Sequence, residues 1–353
     1  MAFKTAAGYG NLPNGNFSPV IYSKKVQSAF RKTSIVEDIT NSDYFGEIAN
    51  FGDTVRIIKE PEITVQEYAR GTQVTPQDLT DDDFTLVVDK ANYFAFKIDD
   101  IEEAHSHVNF ESMASDRAGY RLKDQFDQEV LGYLSGFKQT ALSTVASTAN
   151  DVKSGTDPVA AGSDGLLSSM ELTHGDFASG GTAANSIAMS ASNASAVATP
   201  LAILNRMSRL LDQQNVDRDG RWVVVDPVFA EELNDENSKL LNNDFAGGQN
   251  AGDLLRNGRV ISGLIRGFRV YMSNNLPSIG TGSSTIATGG SQSNFGVVVA
   301  GHDSAVATAS QVEKVETYRD NDSFADIVRG MHLYGRKILR PEALVRAKYN
   351  LYS

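Results

Sequence analysis

The chain has no cysteine among its 353 residues, so disulfides, thiolate nucleophiles and cysteine-ligated zinc are all excluded. Long apolar runs are missing as well, and none approaches the roughly 18 residues of a membrane span. The opening stretch MAFKTAAGYGNLPNGNFSPV carries no apolar core of the kind a signal peptide needs, so a soluble, cytosolic product is expected, with no membrane partner. Positive charge is scarce: 32 Lys and Arg stand against 44 Asp and Glu, a formal net charge of -12. That balance argues against a broad surface that grips phosphates. The short motifs of catalysis are also lacking, with no phosphate loop, no H-E-x-x-H, no G-x-S-x-G elbow and no G-x-G-x-x-G between strand and helix. No internal repeat is present. What remains, 41% hydrophobic and 22% charged, is the ordinary composition of a folded chain long enough for two domains.

The most informative stretch is DDDFTLVVDKANYFAFKIDD, residues 81–100. Phe84, Leu86, Val88, Phe94, Phe96 and Ile98 share one parity, while Thr85, Asp89, Lys97 and Asp99 occupy the other. This period of two predicts a long strand with one dry face and one wet face. In residues 53–71, Val55, Ile57, Ile63 and Val65 alternate with Arg56, Glu60, Glu62 and Thr64, which predicts a second arm able to pair with the first. TQVTPQDLT between them makes an exposed tip, and Pro61 favours an edge position for the first arm. Fifteen extended residues span roughly 50 Å, whereas a compact chain of this size has a radius of gyration of about 20 Å. Such a hairpin either curls into a larger sheet or projects onto a neighbouring copy.

Elsewhere the pattern alternates helix and strand. Phe110, Ala114, Ala118, Leu122, Phe126, Val130 and Leu134 recur every four residues, with Asn109 as N-cap and Gly136 as terminator, predicting a helix of about 25 residues, roughly 38 Å long. Residues 141–198 turn to Ala, Ser, Thr and Gly, which reads as loops and short strands. Thr199-Pro200 opens a helix through LAILNRMSRLLDQQ, RWVVVDP is a buried strand around Trp222, PVFAEELN a short helix and FGVVVAG another buried strand. Gly258, Gly263 and Gly267 punctuate strands, residues 278–290 form a loop, and the last forty residues hold a strand, a polar turn at 319–322, a second strand and a final strand after Pro341.

This succession, carried by FGDTVRII, LKDQFDQEVLGYL, RWVVVDPVFAEEL, GLIRGFRVYMSNNLP and DIVRGMHLYGRKILRPEALVRA, resembles the major capsid protein of tailed bacteriophages, the Hong Kong ninety-seven fold. The resemblance covers nearly the whole chain. It implies an α+β fold with an N-terminal arm (1–35), an extended-loop β-hairpin (36–100) and a peripheral domain with a long spine helix (101–145). A mixed α/β axial domain (146–310), a peripheral β-hairpin (311–335) and a return to the axial domain (336–353) complete it. It further implies no catalysis and no cofactor, pentamers and hexamers of the chain in an icosahedral shell, a separate scaffolding protein, a portal, and double-stranded DNA held by enclosure. Acidic walls would repel that cargo and keep it mobile. The virion would be assembled in the host cytoplasm. Glu67 and Arg70 at the hairpin tip are the expected inter-subunit contacts. Cross-linking, where the family has it, would use Lys59 or Lys90, for which an ordinary solvated lysine is the competing reading.

Two other readings compete. An encapsulin-like bacterial nanocompartment would share the fold and carry protein cargo. A calcium-binding α/β enzyme or adhesin would use Asn215, Asp217, Asp219, Gly220 and Asp226, whose spacing is close to a calcium loop. Of these, Asp217, Asp219 and Asp226 are the candidate metal ligands. The context opposes them, because a buried strand and Pro227 follow where the motif needs a helix, and a helix-turn-strand connection through Asp219-Gly220 is favoured. His105 and His107 beside Asp99, Asp100, Glu102 and Glu103 read as exposed residues ahead of the helix, since positions two apart diverge on a helix. The triple acid at 81–83 reads as a solvated turn and Trp222 as a core aromatic.

Overall fold

The computed structural model describes residues 34–41, 54–59, 63–71, 73, 76–78, 82–88, 90–99, 110–136, 166–177, 186–192, 196–234, 264–276, 278–279, 295–321 and 323–351. The helices are α1 (Val36–Ile39), α2 (Phe110–Ser135), α3 (Pro200–Gln213) and α4 (Pro227–Leu233). Strands β1 (Thr54–Lys59), β2 (Asp82–Val87) and β3 (Lys90–Asp99) precede α2. Strands β4 (Glu171–Leu172) and β5 (Ile187–Met189) come before α3, β6 (Arg221–Val225) before α4, and β7 (Arg269–Met272) and β8 (Ser278–Ile279) after it. The chain ends with β9 (Phe295–His302), β10 (Val306–Arg319), β11 (Ala325–Ile338) and β12 (Leu344–Leu351).

A seven-stranded sheet of order β4-β12-β9-β6-β7, with β5 also on β12 and β8 on β9, forms the larger body. Its central strands read as unbroken apolar runs because both faces are covered. Trp222 and Val224 of β6, with Val297 and Val299 of β9, face Phe126, Val130, Leu131 and Leu134 of α2. The intervening Val223, Val225, Val298 and Ala300 face Leu204, Met207 and Leu211 of α3 and Phe229 of α4. One residue step along β6 therefore changes which core a side chain enters. Helix α3 starts as expected, with Pro200 in its first turn and Thr199 Oγ1 accepting from Ala202 N at 3.3 Å. Helix α2 ends at Gly136, whose φ of 79° is the left-handed conformation that suits a glycine after a helix.

The second body is a three-stranded antiparallel sheet of order β10-β11-β3. Here the sequence expectation needs correction. Residues 81–100 are not one strand, and the two arms do not pair along their length. β2 pairs with β1 over six residues, from Thr54↔Val87 to Lys59↔Asp82. β3 then leaves the hairpin and pairs with β11, from Lys90↔Tyr334 to Asp99↔Ala325. The fourteen-residue β11 offers β3 a continuous ladder, which a short two-stranded ribbon in water cannot. Gly335 permits the crossing, because a Cβ there would lie 2.4 Å from the Val87 carbonyl oxygen. The inner side of the short hairpin is held by Leu86 and Val88, packed with Ala307, Ala309 and Leu339. Residues 63–69, expected as the continuing first arm, have no strand pairing and are exposed throughout.

The long hairpin near the end is longer than expected, running from Val306↔Ile338 to Arg319↔Asp326. Ser278 and Ile279, expected at the start of a loop over 278–290, instead form β8 against β9, and residues 280–294, residues 100–109, Gly258, Gly263 and residues 1–33 lie outside the described residues. Among the described residues no helix is long and apolar enough to cross a membrane.

Candidate assembly surfaces

The period of two in β3 survives the change of partner. Phe94 and Phe96 are half-buried and Ile98 is buried, while Tyr93, Ala95 and Lys97 are exposed. The inward side meets α2, where Phe126 packs edge-on against Tyr334 with ring centroids 4.9 Å apart. Tyr334 donates to Glu129, and Asn92 Nδ2 donates to the Tyr334 hydroxyl at 3.3 Å, so one phenol joins β3, β11 and α2. Burial first, and then the Glu129 hydrogen bond, push the Tyr334 pKa far up. Arg336 donates to the Glu129 carbonyl. Toward the larger sheet, Asn275 Nδ2 donates to Asp124 at 2.9 Å. Arg346 reaches the Ser135 carbonyl at 3.1 Å and Glu171 at 2.8 Å. The helix is thus pinned to both bodies by polar contacts at its buried end.

The outward side is different in kind. Tyr93 of β3, Arg329 and Met331 of β11, and Glu316 and Tyr318 of β10 line an open groove of about 510 Å³. The Arg329 guanidinium lies 4.9 Å from the Tyr318 ring centre and donates to Glu316 at 2.9 Å. Tyr93 is 80% exposed and Phe324, at the hairpin turn, also 80%. In the extended loop Ile58 is 87% and Val65 93% exposed. Of the thirteen large apolar side chains exposed among the described residues, ten belong to the extended loop and this sheet, and three (Leu167, Leu264 and Met272) lie elsewhere. Apolar surface on this scale is characteristic of interaction sites.

The residues singled out from sequence are placed as follows. Glu67 and Arg70 are exposed in the stretch that follows β1. Lys59 ends β1 opposite Asp82, at the far end of the hairpin, whereas Lys90 opens β3 opposite Tyr334 and is half-buried near the hairpin's base. The two lysines are therefore separated by the length of the ribbon. Asp217 and Asp219 are exposed in the turn between α3 and β6. Asp226 lies at the other end of β6, buried, where it caps α4 by accepting from Phe229 N at 3.1 Å and also accepts from the Tyr349 hydroxyl. Burial raises its pKa. The strand holds Asp226 apart from Asp217 and Asp219, and among the described residues no group of three or more acids and histidines is placed to hold a metal ion. His105, His107, Asp100, Glu102 and Glu103 lie outside the described residues. Sequence reasoning missed Tyr93, Tyr318 and Met331. The visible signal was Tyr93, an aromatic on the wet parity of a half-buried strand.

Comparison with known proteins supplies the rest. A family model described as phage capsid protein matches residues 59–347. A solved structure from Mycobacterium phage Che8 is 26% identical, with a TM-score of 0.65 over 94% of this chain and 97% of that one. The capsid structure of Cyanophage P-SCSP1u is 20% identical with a TM-score of 0.65, and the capsid of Ralstonia phage GP4 is 13% identical with a TM-score of 0.64; each covers 99% of both chains. No curated protein sequence matches the chain significantly. With most of its length matched and its fold shared end to end, this chain belongs to the phage capsid protein family and is a structural shell protein of a virion, not an enzyme.

Proposed function

We propose that many copies of this chain form the icosahedral head of a tailed bacteriophage and enclose double-stranded DNA without gripping it. The observation that carries this reading is the concentration of exposed apolar side chains on the extended loop and the outward side of the three-stranded sheet. The rest of the subunit leaves them exposed. Residues 36–100 act as the extended loop and 101–145 with 311–335 as the peripheral domain. Residues 146–310 with 336–353 act as the axial domain, and 1–35 as an arm. Ile63, Val65 and Tyr68 supply apolar contact to a neighbour, with Glu67 and Arg70 as polar contacts at the rim, where charges set register more than affinity. Lys59, at the far end of the ribbon, is better placed than Lys90 to reach a neighbouring subunit. The net charge of -12 suits a wall that leaves its cargo mobile. A separate scaffolding protein and a portal are the expected partners, and the host cytoplasm the place of assembly.

The test is to express the chain alone and with a scaffolding protein, then to sediment and image the soluble product. Shells tens of nanometres across, or regular pentamers and hexamers, are expected. A stable monomer in both preparations contradicts the proposal.

A further inference from the structure

Helix α1 has no cap of its own. Its N-cap residue, Ile35, has no side-chain oxygen to receive the first backbone N–H groups, and those donors sit in the core, with Ile35 4% and Val36 0% exposed. The missing acceptor comes from 92 residues away. Asp127, on α2 and itself fully buried, accepts from Ile35 N at 3.1 Å, from the Val36 backbone and from Ser34 Oγ at 2.8 Å. One turn earlier on α2, Lys123 pairs with Glu37 of α1 at 3.0 Å. The other end of the segment is tied to β10. Thr40 Oγ1 lies 2.9 Å from Thr308 Oγ1, Asn41 N donates to the Val306 carbonyl at 2.8 Å, and Thr308 N donates to the Asn41 carbonyl at 3.1 Å. Ile35, Val36 and Ile39 fill the space between, against Phe126 and Val130.

Eight residues are thus fixed at both ends, at the point where the proposed arm gives way to the proposed extended loop. We propose that Asp127 is a positioning residue for assembly: by capping α1 from the spine helix it locks residues 34–41 against α2 and β10, and shell formation depends on that lock. This rests on the shell-forming reading above. A buried carboxylate is otherwise a costly choice at a core position of a helix. Its three donors all come from one short segment, which gives that cost a purpose.

The test uses the full chain. Asp127→Asn keeps the size but replaces one acceptor oxygen with an amide that faces three donors. Hydrogen exchange of the unassembled subunit and the yield of regular shells are both measured, for this variant and for Ser34→Ala and Ser34→Thr. Losing a cap of this kind is expected to speed exchange at Ile35 and Val36 about tenfold, leave the Val223–Val225 amides unchanged, and lower shell yield. Ser34→Thr, which keeps the hydroxyl, is expected to assemble better than Ser34→Ala. Faster local exchange with normal assembly overturns the positioning role, as does a uniform rise in exchange across the subunit or no change at all. Failure of the unsubstituted chain to form shells would instead contradict the proposed function.

Discussion

The two sheets of this subunit are built from similar β-rich sequence yet differ in what completes them. In the seven-stranded sheet β6 is buried along its whole length and both faces are sealed by helices of the same chain. In the three-stranded sheet one face meets α2, and the other presents Tyr93, Tyr318 and Met331 to solvent. The first is finished by folding. The second, on our account, is finished only by assembly, so substitutions in the two regions should separate subunit stability from shell formation.

The largest effect on the subunit belongs to the sealed sheet. Trp222 is fully buried between β9 and α2, and Trp222→Ala is expected to cost about 3–5 kcal/mol in denaturant unfolding, with assembly lost only as a consequence. Next is the junction between the two regions. Gly335→Ala places a methyl group against the Val87 carbonyl, and because that neighbour is backbone the expected loss is about 1–3 kcal/mol by the same measurement. If Gly335→Ala is neutral, the crossing of β2 over β11 is looser than described.

A smaller effect should depend on pH. Hydrogen bonds from Arg218 first, and then from Arg221, hold the Asp212 carboxyl below its ordinary pKa. A depressed acid contributes stability that is present above the unfolded value and is lost as pH falls through the folded one. Asp212→Asn should therefore lower stability at neutral pH by at most about 1 kcal/mol, since Asp212 is partly exposed, and flatten the acid limb of the stability curve. The smallest effect on the subunit sharpens the comparison most. Ile58→Asp and Val65→Asp should leave its unfolding free energy within about 0.5 kcal/mol of the original while sharply reducing shell yield.

What could be read in advance follows the same division. The runs WVVV and GVVVA, the Thr199-Pro200 cap and the four-residue spacing around Phe126 carry local signals, and each stands where expected. The hairpin could not be read correctly, because the alternation of residues 81–100 says which side is dry but not which strand pairs with it. That choice lies with β11, more than 200 residues later, and with the missing side chain of Gly335. The calcium-like spacing shows the same limit: Asp226 belongs by spacing to the acids of the turn, and the intervening strand carries it away to cap α4, as the buried run and Pro227 had argued. Asp127 was legible only as a polar residue beside a helical stripe, since its donors come from a segment 92 residues distant.

The most direct test of the central claim is oxidative footprinting of the subunit and of the assembled shell side by side, read at Tyr68, Tyr93, Tyr318, Phe324 and Met331. Strong labelling of the free subunit and protection in the shell is the predicted result. Equal labelling in both states would show that these side chains are not covered by neighbours, and would contradict the account.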